Sequence, residues 1–208
     1  MAVPCPRSGA AQLEWSHVDL DSAEWQQPGH LTKNREPHRL HLNELALEVL
    51  RTRWRAIVEP EADRDVGMLA SQLAAGAPKS GLVFAAPSSG RVMDTFTAIK
   101  ATLSKATGPQ EDADAHRASI PLTGWTWHDF RRSFATALGE AGVSETMADA
   151  ILNHRQAATR GGVLGVYQRA SRWPELVRAM DLWGKLLAEA ITGSEAVANV
   201  VPMVARVG

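Results

Sequence analysis

The segment Trp125–Thr136 contains the residue types best suited to phosphate chemistry. His128 and Arg131 are three residues apart, so a helix places both side chains on one face. The guanidinium of Arg131 offers a planar fork for two phosphate oxygens, and an imidazole such as that of His128 can pass a proton near neutral pH. The spacing therefore indicates a candidate phosphodiester site, although each residue alone is more often an ordinary helix-surface residue.

Two further segments contain candidate residues. One is Ile151–His154, which is followed by a glycine-rich stretch and by Tyr167, the only tyrosine in the chain. The other is Leu31–Arg39, a polar stretch between two predicted strands that contains Lys33. Taken singly, a lone tyrosine is more often half-buried core, a histidine at a helix end is more often a cap, and a loop lysine is more often simply solvated.

The order of these residues along the chain changes their interpretation. A lysine in an early hairpin, H-x-x-R at the start of a helix, L-N-H and then G-V-Y resembles the catalytic set of the tyrosine recombinases. The resemblance covers about residues 10–187, and it is closest to the catalytic domain of a phage-type integrase. The surrounding segments that also resemble this family are Leu13–Asp21, Thr32–Asn34, Leu45–Leu50 and Gly161–Tyr167.

The resemblance implies a role for each candidate residue. Tyr167 attacks the scissile phosphate and leaves a 3′-phosphotyrosyl link and a free 5′-hydroxyl, a covalent step that requires neither ATP nor metal. Arg131 holds the non-bridging oxygens, and His128 assists proton transfer at the tyrosine. His154 donates a hydrogen bond to the phosphate, and Lys33 protonates the leaving 5′-oxygen. The expected partner is double-stranded DNA with an attachment site, bound by a homo-tetramer, and no cofactor is expected.

The family has a second phosphate-binding arginine besides the one that Arg131 matches, and this sequence lacks an arginine at that position. Counting back from Leu13, that position falls on Pro6, and the family's glutamate three residues later falls on Gly9. Two prolines and a glycine within Pro4–Gly9 predict that no regular helix forms there. Arg7 is the candidate substitute for the missing phosphate contact. The chain is therefore interpreted as an N-terminally truncated family member.

The helices and strands that must position these residues can be predicted from the sequence. Together they indicate a mainly α fold with a small antiparallel β-sheet, that is, an α+β fold. Short strands are expected at Leu13–Trp15, Val18–Leu20, Ala23–Gln26, His38–Leu42 and Leu82–Phe84. Helices are expected after the N-cap Asn43 as far as Trp54, and at Val66–Ala75, Thr95–Ser104, Trp127–Glu140, Glu145–Leu152 and Pro174–Ile191. The predicted domains are an atypical N-terminal remnant at 1–12, the catalytic domain at 13–192 and a C-terminal tail at 193–208.

Composition narrows the class of protein. A chain of 208 residues with 45% apolar residues suits one folded domain. It has no apolar run that could span a membrane or direct secretion, and its single cysteine, Cys5, excludes an internal disulfide. A cytoplasmic, nucleoid-associated bacterial protein is therefore expected. The net charge of −1 does not itself indicate DNA binding, but basic residues concentrate at 31–55 and 154–173.

Two functions remain open at this level. The first is a DNA strand transferase, and the second is a degenerate integrase fragment that binds DNA or integrase protomers without cutting, with residues 174–208 contacting a neighbour. A metal hydrolase is disfavoured because His38 and His41 would point to opposite faces of a strand, and no H-E-x-x-H or paired-cysteine pattern exists. A type IB topoisomerase shares the chemistry, but the glycine-rich approach to Tyr167 resembles integrases instead.

Overall fold

The computed structural model describes residues 2–58, 80–86, 89–94, 96–106, 124–154 and 172–192. Within these ranges the chain is mainly helical and contains one three-stranded antiparallel sheet, which confirms the predicted α+β class. The predicted helix Val66–Ala75, the nucleophile candidate Tyr167 and the tail 193–208 lie outside the described residues.

The first helix, α1, spans Arg7–Ala11, so the prediction that no regular helix forms in this segment was wrong. Pro6 is its N-cap, with φ −60° and ψ 149°, and its carbonyl accepts from the Gly9 N–H at 2.9 Å. A proline at this position loses nothing, because the first N–H groups of a helix have no intrahelical partner. Gly9 lies so close to Gln27 that an added Cβ would be 2.9 Å from its Nε2. The prolines therefore precede the helix rather than prevent it.

The sheet consists of β1 at Val18–Asp19, β2 at Glu24–Gln27 and β3 at His38–His41, in the order β1-β2-β3, and both neighbouring pairs are antiparallel. Its register pairs Trp25 with Leu40 and Gln27 with His38, so these four side chains share one face. Trp25 and Leu40 are buried in the core, whereas Gln27 and His38 lie farther along the same face and border a pocket.

Two of the predicted strands are wrong. Trp15–His17 forms a 3-10 turn, and Leu82 makes only an isolated bridge to Glu14. The Val83 N–H donates to the Leu13 carbonyl at 2.8 Å, and Val83 is completely buried. The apolar side chains of these two predicted strands are thus explained by burial in the core. Their backbones form single hydrogen bonds in place of a strand ladder.

Five longer helices follow, and their places agree with the sequence prediction. The helix α4, at Trp127–Glu140, begins and ends at the predicted residues because its signals are local. Thr126 and Asp129 form a capping box at its start, and Gly142 has a φ of +83° just beyond its end. The helices are α2 at Glu44–Val58, α3 at Thr97–Ala106, α4 at Trp127–Glu140, α5 at Glu145–Ile151 and α6 at Trp173–Thr192.

The core joins α2, α4, α5 and α6 to the inner face of the sheet. Phe134 of α4 is fully buried and meets Trp183 of α6 edge-on, with 5.4 Å between ring centroids. On the other face of the sheet, Arg39 lies over the ring of Trp173 at the start of α6, 3.7 Å from its centroid. These contacts join both α4 and the sheet to α6.

Candidate active site

A pocket of about 940 Å³ opens where α1, the sheet, the start of α4 and the end of α5 meet. Every predicted site residue in the described part of the chain lines it, namely Arg7, Lys33, His128, Arg131 and His154. Tyr167 lies outside the described residues. The tertiary structure thus brings together side chains from a short helix, a hairpin loop, a helix start and a helix end.

Arg131 is fixed on the wall of this pocket by backbone carbonyls. Its Nη1 donates to the Pro4 carbonyl at 2.8 Å, and its Nη2 donates to the Leu152 carbonyl at 2.8 Å. Burial lowers the pKa of Arg131, although a guanidinium stays charged at any physiological pH. The two carbonyls are contacts that the sequence analysis missed. They orient the guanidinium without neutralising it, since carbonyls carry no net charge.

His154 lies between Arg131 and a carboxylate that the sequence analysis also missed. Its Nε2 is 3.1 Å from Nη2 of Arg131, and its Nδ1 is 2.9 Å from Oδ1 of Asp149. A guanidinium can only donate, so Nε2 accepts, and the ring hydrogen sits on Nδ1 and is donated to Asp149. The carboxylate therefore sets both the tautomer and the orientation of this imidazole.

The backbone turn after α5 makes the Asp149 contact possible. Leu152 is the C-cap, and Asn153 follows with a φ of +55° in the left-handed region. The N–H of His154 then donates to the Asp149 carbonyl at 2.9 Å, and the N–H of Asn153 donates to the Ala150 carbonyl at 3.2 Å. This pair of bonds is a Schellman motif, which reverses the chain and brings His154 back beside the helix.

Lys33 projects from a loop that is attached to the same turn. The Asn34 side chain donates to Oδ1 of Asn153 at 2.7 Å, and Nε2 of His38 lies 3.0 Å from the Ile151 carbonyl. Lys33 itself is exposed and lines the pocket. The loop and the helix end therefore form one unit, although the sequence separates them by more than a hundred residues.

His128 lies in the first turn of α4, exposed and facing the pocket. Next to it, the Asp129 carboxylate accepts from the Thr126 N–H at 2.6 Å and from the Thr126 hydroxyl at 2.9 Å. These hydrogen bonds lower the pKa of Asp129, which stays ionised near His128. The positive end of the α4 dipole also lies at this edge of the pocket and favours an anion.

Arg7, the candidate substitute for the family's second arginine, lies in the first turn of α1 at the pocket edge. Its guanidinium lies over the Phe96 ring, 5.2 Å from the centroid.

Cys5 is buried two residues before Arg7, and burial raises the pKa of its thiol to about 11, with the charge of Arg131 opposing the shift. Cys5 is therefore a neutral packing residue at physiological pH.

The described residues provide no metal centre. His38 faces the pocket, whereas His41 is directed to the other face of the sheet, where its Nε2 lies 2.9 Å from Asp181. Across the described ranges, no group of three or more His, Cys, Asp or Glu side chains could hold a metal ion.

In the same ranges, no helix is both long enough and apolar enough to cross a membrane.

Comparison with known proteins agrees with the resemblance. The family model described as "Phage integrase family" matches residues 7–162. This range starts at α1 and contains Lys33, His128, Arg131 and His154, while Tyr167 lies beyond its end. No curated protein and no solved structure matches the chain.

Proposed function

The chain belongs to the phage integrase family, and on this premise we propose that it cleaves and rejoins DNA strands through a 3′-phosphotyrosine at Tyr167. Membership indicates site-specific recombination in general, with DNA as the partner. The finer proposal rests on one observation, the composition of the pocket lining. Four cations and three histidines line the pocket, and no aspartate or glutamate is among the lining residues of the described chain. The net charge of −1 thus hides a strongly electropositive site.

The first step is the attack of the Tyr167 oxygen on the scissile phosphorus. His128 accepts the phenolic proton, and the electropositive pocket favours the phenolate, whose free acid has a pKa of about 10. Two groups bind the non-bridging oxygens. Arg131 turns its Nη2 from His154 to the phosphate. Nε2 of His154 then takes a proton from solvent and donates it in a hydrogen bond to the other oxygen, while Nδ1 keeps its hydrogen bond to Asp149.

The bond between phosphorus and the 5′-oxygen then breaks. Lys33 donates a proton to the leaving 5′-oxygen and becomes neutral, so that the products are a phosphotyrosyl 3′-end and a free 5′-hydroxyl. Attack of a partner strand's 5′-hydroxyl reverses the same steps and rejoins the DNA. The phosphodiester energy is kept in the covalent link, so no nucleotide cofactor is needed.

The test is a nicked suicide DNA substrate that carries the attachment site inferred from the genomic neighbourhood. The expected result is a covalent protein–DNA adduct on a denaturing gel, which disappears in Tyr167→Phe. Arg131→Ala should lower the adduct yield by about 100- to 1,000-fold, as expected for loss of a preorganised phosphate contact. A wild-type protein that binds this DNA but forms no adduct would refute the catalytic part of the proposal.

A second candidate function is DNA or protomer binding without cleavage, and the position of Arg7 favours it. Because the guanidinium is stacked on Phe96, the second phosphate contact is not preorganised. Adduct formation that falls in Arg7→Ala but not in Arg7→Lys would show that Arg7 reaches the phosphate. Site-specific binding without an adduct, unchanged in Arg7→Ala, would support the binding function.

We further propose that the protein assembles as a homo-tetramer on DNA. Sedimentation of the protein–DNA complex measures the number of protomers.

A further inference from the structure

Two asparagine side chains link the loop of Lys33 to the end of α5. Nδ2 of Asn34 donates to Oδ1 of Asn153 at 2.7 Å, and Nδ2 of Asn153 donates to Oδ1 of Asn34 at 3.4 Å. Both amides are partly buried, and the residues are 119 positions apart. The pair is thus a reciprocal contact between the loop and the helix end, in addition to the contact of His38 with the Ile151 carbonyl where the loop meets β3.

The backbone on each side suits this contact. Asn153 has a φ of +55°, a conformation that glycine adopts more easily than any other residue and that asparagine tolerates. Oδ1 of Asn34 also lies 3.2 Å from the Glu36 N–H, which shapes the loop around Asn34. Glycine would have the lowest backbone strain at position 153, but it would lack the contact that the amide of Asn153 makes.

We propose that Asn34 and Asn153 are positioning residues that hold Lys33 in reach of the reacting phosphate. Each asparagine is the chain neighbour of a pocket residue, Lys33 in one case and His154 in the other. A lysine has a long flexible stem, so the position of its ammonium depends on how firmly its backbone is held. The inference depends on the proposed role of Lys33 as the proton donor to the leaving oxygen.

The test compares two DNA substrates that differ at one atom. In the first the scissile phosphate has its normal 5′-oxygen, and in the second a sulfur replaces that bridging oxygen. A thiolate leaves without protonation, so a defect in proton donation disappears on the sulfur substrate. Asn34→Ala and Asn153→Gly should form adduct roughly 10- to 100-fold more slowly on the oxygen substrate and near the wild-type rate on the sulfur substrate. Lys33→Ala should show the same pattern.

The control is His30→Ala, an exposed change in the same loop that should leave both rates unchanged. The double variant of Asn34 and Asn153 should be no slower than either single variant, because both changes remove one shared contact. Equal slowing on both substrates, or no slowing on either, would overturn the positioning role.

A second measurement does not depend on activity. Hydrogen exchange of the full chain should show faster exchange at residues 32–36 in Asn153→Gly, with α5 unchanged, because glycine keeps the turn but removes the amide. Unchanged exchange in the loop would refute the inference, whatever the adduct assay shows. Absence of adduct from the wild type on both substrates would instead refute the proposed function, and the exchange result would still decide whether the pair holds the loop.

Discussion

Replacing Asn43 with aspartate should destabilise the fold, although both residues are equally good helix N-caps. Asn43 is 1% exposed, and its Oδ1 accepts from the Ala46 N–H at 3.1 Å at the start of α2, as the sequence predicted. Its Nδ2 donates to the Ala2 carbonyl at 3.0 Å and to the Met180 carbonyl at 3.2 Å. One side chain thus joins the N-terminal segment, α2 and α6.

The expected magnitude follows from these three hydrogen bonds. Asn43→Ala loses a cap worth about 1 kcal/mol and the two hydrogen bonds to the Ala2 and Met180 carbonyls, of which the second is buried, so the free energy of unfolding should fall by about 2–4 kcal/mol. Asn43→Asp keeps the cap but turns a carboxylate toward two carbonyl oxygens, and a similar loss of about 2–4 kcal/mol is expected at pH 7. For a chain of this size, that corresponds to a fall in Tm of roughly 5–15 °C.

The assay is urea and thermal unfolding followed by circular dichroism. Burial raises the pKa of the introduced carboxyl, so the deficit of Asn43→Asp should be largest at neutral pH and should shrink as the pH falls and the group is protonated. Ser144→Asp is the matched control, because Ser144 is an exposed N-cap that accepts from the Met147 N–H at 3.3 Å. This control should be neutral or slightly stabilising.

The reasoning is refuted if Asn43→Asp is as stable as the wild type at pH 7. In that case the cap alone accounts for the role of Asn43, and the two bonds to carbonyls contribute nothing measurable. A deficit that does not vary between neutral and mildly acidic pH would refute the electrostatic part only, and would leave lost packing as the cause.

Three further predictions concern residues around the site. Arg131→Lys cannot reach both backbone carbonyls, so it should lower the free energy of unfolding by about 1–3 kcal/mol in urea, and an equally stable variant would contradict that role. Arg39→Ala removes the partner that lowers the pKa of Glu24 and also the contact with Trp173, so it should cost about 1 kcal/mol at pH 7, since solvent screens the half-exposed Arg39. The ion-pair part of this cost should vanish as the pH falls through that lowered pKa, and a cost that does not vary with pH would assign all of it to the Trp173 contact. Cys5, with its raised pKa of about 11, should react with a thiol reagent at pH 8 about 100-fold more slowly in the folded protein than in urea, and equal rates would show that the thiol is accessible.

The parts of the fold that could be predicted from sequence are those with local signals. The helix α4 was predicted to the residue because its capping box and the glycine beyond its end lie within a few positions of its termini. Asn43 and Ser144 could likewise be identified as N-caps from residue type and place alone. The same reasoning failed at α1, because it took the prolines as helix breakers when Pro6 is a helix boundary.

The candidate site divides in the same way. Sequence alone determined which residues are candidates for the chemistry, since residue type, order and the three-residue spacing of His128 and Arg131 follow directly from the chain. Only the tertiary structure decided their surroundings: the carbonyls that orient Arg131, the Asp149 contact of His154, and the amide pair of Asn34 and Asn153. The physical reason is that a periodic pattern specifies the buried face of an element, whereas these contacts form where loops and helix ends meet. Their geometry depends on single backbone angles, such as the positive φ of Asn153, and on the packing of segments far apart in the chain.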